Sequence, residues 1–159
     1  MQKITENLLV EVLDKAANSP RRRMNHNFHP TLDAIYQRML NCLMPDTYCQ
    51  PHKHSDPSKS ESFIILKGKA VVVEFDDLGN INDFLILDAE HGNYGVDFLP
   101  NIWHTILALT PCVVFEAKDG PYNKLNDKDF AKWAPTESDP ESKLYNLALL
   151  DKINTEAKH

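Results

Sequence analysis

The sequence has no long hydrophobic run, few cysteines and no excess of basic charge. Its apolar runs, such as residues 71–73 and 147–150, are only a few residues long. A transmembrane helix needs about 20, so we expect no membrane span. The three cysteines are an odd number without paired spacing, which favours reduced thiols buried as small core residues over a disulfide framework. A net charge of −6 argues against nucleic acid as a partner.

The 159 residues have the composition of an ordinary globular protein, with 42% hydrophobic and 25% charged side chains. This length favours one domain. The N-terminal stretch, MQKITENLLVEVL, has acids among its apolar residues and lacks both a basic leader and a small-residue cleavage site. We therefore expect no signal peptide and a cytoplasmic location.

All four arginines lie in the first 60 residues. Arg21, Arg22 and Arg23 have two interpretations: a basic turn that faces water, or an anion-holding edge of a pocket. Arg38 lies on a predicted strand, where either its face or that of Gln37 points inward. An inward Arg38 would anchor an anion through its planar guanidinium, and an outward one would shield a sheet edge. Arg38, Gln37 and Arg23 are therefore the candidates for substrate binding.

Helical periodicity marks both ends of the chain. Thr5 is a predicted N-cap, and apolar residues recur at helical spacing to about residue 17, before Ser19 and Pro20. Near the C-terminus, Asp139 is a predicted cap with Pro140 at the first helical position. The apolar positions predicted for this second helix are Leu144, Leu147, Ala148 and Leu150.

Between the helices the hydrophobic period changes to two, which predicts β-strands. The eight predicted strands are 35–44, 48–54, 61–66, 69–75, 81–87, 95–99, 104–109 and 113–118. Such closely spaced strands are typical of an antiparallel sandwich or barrel. Residues 77–80 predict a hairpin turn in which Gly79 and Asn80 can both take positive φ. The polar segment 119–139 predicts an ordered loop held by its aromatic residues.

His52, His54, Glu61 and His104 form the most informative pattern. Residues two apart on a strand share a face, so an extended 48–54 segment would project His52 and His54 together. A carboxylate on the next strand and a histidine from a later one would complete a site for Zn, Fe, Mn, Ni or Co. Each residue alone has an ordinary interpretation: an exposed loop, a solvated acid or a core histidine. Their combination favours a divalent transition metal as cofactor.

Two stretches resemble the motifs of the cupin superfamily: the HxH of residues 52–54 with Glu61 and then Gly68, and a proline-containing turn before His104. Longer stretches, SPRRRMNHNFHP, PDTYCQPHKH, PNIWHT and GPYNKLNDKDFAKWAP, are similar to the WbuC-type cupin metalloproteins, found with bacterial surface-polysaccharide gene sets. This resemblance runs from about residue 4 to 140. It implies a mainly β fold, a single cupin jelly-roll antiparallel β-barrel with N-terminal and C-terminal helices.

The resemblance also implies a metal held by His52, His54, Glu61 and His104, and it raises the expectation of a homodimer. Within one domain, we assign residues 1–30 to the N-terminal helix and a polar, basic lead-in. We assign 31–120 to the barrel and 121–159 to the aromatic-held loop and the C-terminal helix.

The sequence departs from the general cupin motifs at several positions. Asp46, Asn93 and Asn101 stand where the motifs have glycine, and these residue types best tolerate the left-handed backbone that glycine would adopt. Leu99 replaces the motif proline, with Pro100 one place later, and Ala108 replaces the last Asn. Six residues separate His54 from Glu61 instead of three or four, while six residues from Glu61 to Gly68 match the motif.

These residues are compatible with several functions. The first is a metal-dependent isomerase, epimerase or lyase acting on a small oxygen-rich or anionic metabolite, such as an activated sugar. In this enzyme, Tyr48 or Gln50 would assist proton movement. The alternatives are a non-enzymatic sugar- or acid-binding module with the same metal pocket, a metal-free epimerase-like cupin, and an oxygenase if the metal is iron.

Overall fold

Two five-stranded antiparallel sheets face each other in the computed structural model, which describes residues 1–156. The last three residues of the predicted 121–159 segment lie outside the described part. The helices are α1 (Glu6–Asn18) and α2 (Ser142–Glu156). The strands are β1 (Arg23–Asn27), β2 (Tyr36–Leu43), β3 (His52–Lys53), β4 (Glu61–Lys67), β5 (Lys69–Phe75), β6 (Ile81–Asp88), β7 (Gly95–Phe98), β8 (Trp103–Ala108), β9 (Cys112–Asp119) and β10 (Asp129–Phe130). The sheet orders are β1-β2-β9-β4-β7 and β10-β3-β8-β5-β6.

Helix α1 covers the outer face of the first sheet. The Thr5 hydroxyl accepts a hydrogen bond from the backbone N–H of Leu8, as expected of an N-cap. The buried stripe of Leu9, Val12 and Ala16 packs against side chains of the sheet, which are Leu40, Cys42 and Val113. The predicted first helix is therefore confirmed.

Helix α2 covers the outer face of the second sheet, but with a different side from the one predicted. Leu149 and Ile153 are buried against this sheet, whereas Leu144 and Leu147 are 66% and 64% exposed. The predicted stripe is wrong for these two leucines and for Ala148, which is exposed as well. The helix also begins at Ser142, two residues beyond the predicted Pro140, after a turn in which the Asp139 carboxylate accepts the N–H of Glu141.

Strands β1 and β10 are absent from the sequence prediction. The residues of β1, RMNHN, lack apolar alternation, and the strand forms because it pairs along the whole of its length with β2. The predicted strand 48–54 is shorter than expected, since only His52 and Lys53 join a ladder, with His52 opposite His104. Backbone pairing with a neighbouring strand therefore places the first histidine.

Several turns depend on left-handed backbone. Gly68 and Gly79 have φ of 74° and 85°, and a Cβ on Gly68 would lie 2.3 Å from the Pro111 carbonyl oxygen. Asn101 takes φ 69° at a motif glycine position, as its residue type allows. Within residues 1–156, neither Asp46 nor Asn93 has a positive φ. The turns at these two positions therefore form without left-handed backbone.

The space between the sheets has an apolar half and a polar half. The apolar half consists of buried side chains such as Leu43, Phe63, Val72, Ile106 and Val114. The polar half consists of buried side chains that include Gln37, His52, His54, Lys59, Glu61, His104, Glu116, Lys118 and Asp127. Burying this many polar groups requires that they satisfy one another or a bound ligand.

Cys42 and Cys112 are fully buried, which confirms their interpretation as core residues, and Cys49 is half-buried. None of the three forms a disulfide within the described residues. Within residues 1–156, no helix is long and apolar enough to cross a bilayer.

Candidate metal centre

Four side chains converge at the centre of the polar half. One candidate ligand atom from each of His52, His54, Glu61 and His104 lies within 4.8 Å of the other three. The four side chains come from the β3 segment, the start of β4 and the start of β8. All four are buried, with exposures between 1% and 6%. The structure thus brings together all four residues that the sequence pattern predicts as metal ligands.

Each histidine is oriented by a backbone carbonyl. Nδ1 of His52 lies 3.0 Å from the carbonyl oxygen of Gln50, and Nδ1 of His104 lies 2.9 Å from that of Ile102. Nδ1 of His54 hydrogen-bonds to the carbonyl oxygen of Asp127. A carbonyl only accepts, so each Nδ1 carries a hydrogen, and in the neutral ring the lone pair is then on Nε2. This outer hydrogen bond fixes the tautomer and the ring direction that a metal-ligating histidine needs.

The electrostatics of the group favour an ionised Glu61. Burial raises the pKa of this carboxyl, but the neighbouring His104 and His54 rings outweigh burial and hold the pKa well below its usual value. Burial lowers the pKa of His52 well below its usual value, so its ring is neutral. Neutral imidazoles and an ionised carboxylate are the protonation states that bind a metal ion.

The residues present fit a transition-metal ion. Nε2 of His52 and Nε2 of His54 are buried and have no hydrogen-bond partner among the described residues. An unpartnered buried nitrogen costs free energy unless a ligand satisfies it. Nε2 of His104 lies 3.0 Å from Glu61 Oε2, so this carboxylate also borders the same space. Three imidazoles and a carboxylate suit Zn and the neighbouring divalent metals.

Tyr48 and Gln50, predicted to assist proton movement, are engaged elsewhere. The Tyr48 hydroxyl donates to the Pro135 carbonyl at 2.7 Å, and burial raises its pKa. The Gln50 side-chain amide donates to the Ala131 carbonyl at 3.2 Å. Gln50 nevertheless adjoins the group, because its backbone carbonyl orients His52.

Of the two alternatives for β2, the structure places Gln37 inside and Arg38 outside. Gln37 is 2% exposed, and its amide donates to the carbonyls of Leu32 and Ala34. Arg38 lines a cleft of about 370 Å³ on the outer side of the sheet, with neighbours that include Phe28 and Phe115. Arg38 therefore does not join the histidine group, because successive side chains of a strand point to opposite faces.

The basic run is neutralised by carboxylates of the chain. Arg21 and Arg23 both pair with Glu137, at 2.6 and 2.8 Å, and Arg22 pairs with Asp46 at 2.9 Å. Arg23 also donates to the Tyr48 carbonyl at 2.7 Å. The donors of Arg23 are thus used to attach the N-terminal segment, and the structure does not direct them to the histidine group.

Sequence reasoning missed five polar residues that border the group. Asn41 donates to Glu116 at 3.0 Å, and Lys118 and Lys59 both pair with Asp127. A signal for two of them was available, since alternation along β9 places Glu116 and Lys118 on the same face as the core residue Val114. Asp127 lies in a loop, where no periodicity indicates burial. The missed residues are Asn41, Lys59, Glu116, Lys118 and Asp127.

Solved structures share this architecture. The chain resembles L-ribose isomerase of Cellulomonas parahominis with L-psicose, with a TM-score of 0.57 at 13% identity over 83% of this chain and 94% of that one. It also resembles CapF with the inhibitor 3-isopropenyl-tropolone (TM-score 0.56, 23% identity, 71% of this chain and 32% of that one). A third is the oxalate decarboxylase of Lactobacillus farciminis in a formate complex (TM-score 0.51, 20% identity, 68% and 30%).

These structures are of the cupin type, and the chain has the cupin jelly-roll fold. Residues 4–87 match a family described as a domain of unknown function, DUF6016, and the chain belongs to that family. Comparison with curated proteins gave no match. The chain spans about a third of the length of the CapF and oxalate decarboxylase chains. The fold together with the buried histidine and glutamate side chains fits a metal-binding cupin.

Proposed function

We propose that this protein is a metal-dependent cupin that acts on a small oxygen-rich or anionic metabolite by isomerisation, epimerisation or lyase chemistry. His52, His54, Glu61 and His104 would hold a divalent transition metal. The single observation that carries the proposal is the set of three Nδ1–carbonyl hydrogen bonds, which leave three Nε2 atoms facing one carboxylate. A histidine cluster without a ligand role would not need all three rings fixed in this way.

A metal held by these four residues would supply Lewis-acid chemistry toward a substrate oxygen. The chain's own residues would supply the remaining functions. Burial and the neighbouring Glu61 carboxylate raise the pKa of Glu116 to about 8 in the metal-free protein, and in its protonated form Glu116 would donate to a bound oxygen. Asn41 donates to Glu116 Oε2 and thereby orients this carboxyl group. Its own Oδ1 is buried without a partner and is free to accept from a ligand hydroxyl.

The finer family assignment belongs to the same proposal. The stretches around residues 19–30, 45–54, 100–105 and 120–135 resemble WbuC-type cupins, which supports an activated sugar of surface-polysaccharide synthesis as the substrate. The similarity to a ribose isomerase structure agrees with a sugar-sized ligand, although at 13% identity it establishes the fold alone. A cytoplasmic location and a homodimer stay predictions.

The function is tested by incubating the metal-loaded protein in D₂O with reducing sugars and sugar acids and recording proton NMR spectra. Deuterium incorporation next to the carbonyl, or a new isomer, is the expected result. Binding without turnover would instead identify a non-enzymatic binding module. Absence of both with every compound would contradict the proposed substrate class.

Glu61→Gln provides the matched variant for the metal-ligand assignment. The amide has the same shape but no charge, so we expect a metal affinity reduced at least tenfold with the fold intact. The affinity is measured by titration with Zn²⁺, and folding is followed by circular dichroism. An unchanged Zn²⁺ affinity would remove Glu61 from the ligand set.

A further inference from the structure

Asp127 accepts hydrogen bonds from two buried lysines. Lys59 Nζ lies 2.7 Å from Oδ1 and Lys118 Nζ lies 2.8 Å from Oδ2. The side chains of all three residues are at most 5% exposed. Lys118 belongs to β9, and Lys59 precedes β4, so the two ammonium groups hold the carboxylate from two separate parts of the barrel. Both oxygens are thereby fixed in position.

The same residue contacts the metal centre through its backbone. The Asp127 carbonyl oxygen is the acceptor for Nδ1 of His54. On the C-terminal side of Asp127, β10 pairs with β3, and Phe130 lies opposite His52. The Ala131 N–H donates to the Pro51 carbonyl at 2.9 Å. The segment 127–131 therefore lies along the HxH segment. The Asp127 carboxylate, bound by the two lysines, holds the start of this segment in place.

A buried ion triad is not explained by stability alone. Removing charges from water is costly, and an apolar replacement of a buried ion pair is often equally stable. A charged cluster instead fixes the orientation of the groups that it joins, because each of its hydrogen bonds is short and geometrically specific. Here the fixed direction is that of the peptide unit whose carbonyl orients His54. Lys118 also lies opposite Glu61 in the β4–β9 ladder, so the triad and the ligand set share one framework.

We propose that Asp127 is a positioning residue for the metal centre, which through the Lys59–Asp127–Lys118 triad sets the tautomer and ring direction of His54. This inference rests on the proposed function, because it assumes a metal at the four ligands. Its chemistry concerns binding of a divalent transition-metal ion and does not depend on the substrate.

The test uses Co²⁺ alone, whose visible absorption bands depend on ligand geometry. Asp127→Asn should lower the Co²⁺ affinity about tenfold and change the band positions and intensities at saturation. Lys59→Met keeps the Lys118 pair and should give a smaller change in the same direction. Each variant has a control at an exposed site away from the histidine group. The controls are Asp33→Asn and Lys124→Met, which should match the wild-type spectrum and affinity.

The outcomes separate the two proposals. If the wild-type protein takes up no Co²⁺, the proposed metal centre is wrong. If the wild type binds Co²⁺ and folded Lys59→Met and Asp127→Asn give the wild-type spectrum and affinity, the positioning role of Asp127 is wrong. A residue that only stabilised the fold would lower the unfolding temperature without altering the spectrum of the saturated protein. Should Asp127→Asn fail to fold, Lys59→Met alone decides the question.

Discussion

Glu116 lies inside the barrel, 6% exposed, next to Glu61. Burial and the Glu61 charge raise its pKa to about 8 in the metal-free protein, from 4.5. Protonated Glu116 therefore contributes stability that is complete below the unfolded pKa and is lost as the pH rises to the folded pKa. We predict that the free energy of unfolding of the metal-free protein falls between pH 6 and 8 through this group.

Glu116→Gln tests this prediction, because the amide keeps the shape and cannot ionise. The measurement is urea unfolding of both proteins at pH 6, 7 and 8 in the presence of a chelator. The variant should lose less stability over this range than the wild type. Equal losses in the two proteins would show that Glu116 has an ordinary pKa and does not hold a proton at neutral pH.

Single residues differed in how far the sequence predicted their positions. The histidines and Glu61 were predicted together because an HxH pair, a following carboxylate and a later histidine form a recognisable pattern, and the structure brings them together. Arg38 and Gln37 could not be separated in advance, since alternation gives two faces without saying which is inside. Only helix α1, packed on Leu40 and Cys42, determines that Arg38 points outward. The roles of these residues in binding stay predictions.

Among the elements, α2 has one buried and one exposed side. Ile153 is 2% exposed and packs on the second sheet, while Leu144 is 66% exposed. We predict that Ile153→Ala lowers the free energy of unfolding by about 2–4 kcal/mol. Leu144→Ala on the same helix should change it by less than about 0.5 kcal/mol.

Chemical denaturation of the two α2 variants measures this difference directly. The two substitutions remove similar volumes from one helix, so helix propensity affects both in a similar way. Greater destabilisation by Leu144→Ala would mean that the helix docks with the face that the sequence pattern predicted, and equal destabilisation would likewise contradict the observed packing.

Strong periodicity predicted the main elements, and tertiary context determined the rest. The strands from β4 to β9 have alternating or continuous apolar runs, which a sequence displays directly. Strand β1 has no such pattern and exists because β2 offers an edge to pair with. In α2, the apolar residues lie on more than one side of the helix, so the pattern alone could not choose between Leu144 and Leu149. Packing against Val71 and Val73 makes that choice.

At the scale of the whole molecule, a metal that binds only the folded chain must stabilise it. The four ligands come from separate segments between residues 52 and 104, so the site exists only once both sheets are formed. We predict that Zn²⁺ at 100 times its dissociation constant adds about 2.7 kcal/mol to the free energy of unfolding. Thermal unfolding with and without Zn²⁺ measures this effect, and the variant His52→Ala/His54→Ala should show no rise.

The central claim is that His52, His54, Glu61 and His104 form a metal centre, and elemental analysis tests it most directly. The protein is purified without an affinity tag, a chelator or an immobilised-metal step, in parallel with His52→Ala/His54→Ala. We predict close to one transition-metal ion per wild-type chain and little in the variant, and the element found will separate redox chemistry from Lewis-acid chemistry. Equal metal content in the two proteins, or almost none in the wild type, would contradict the account.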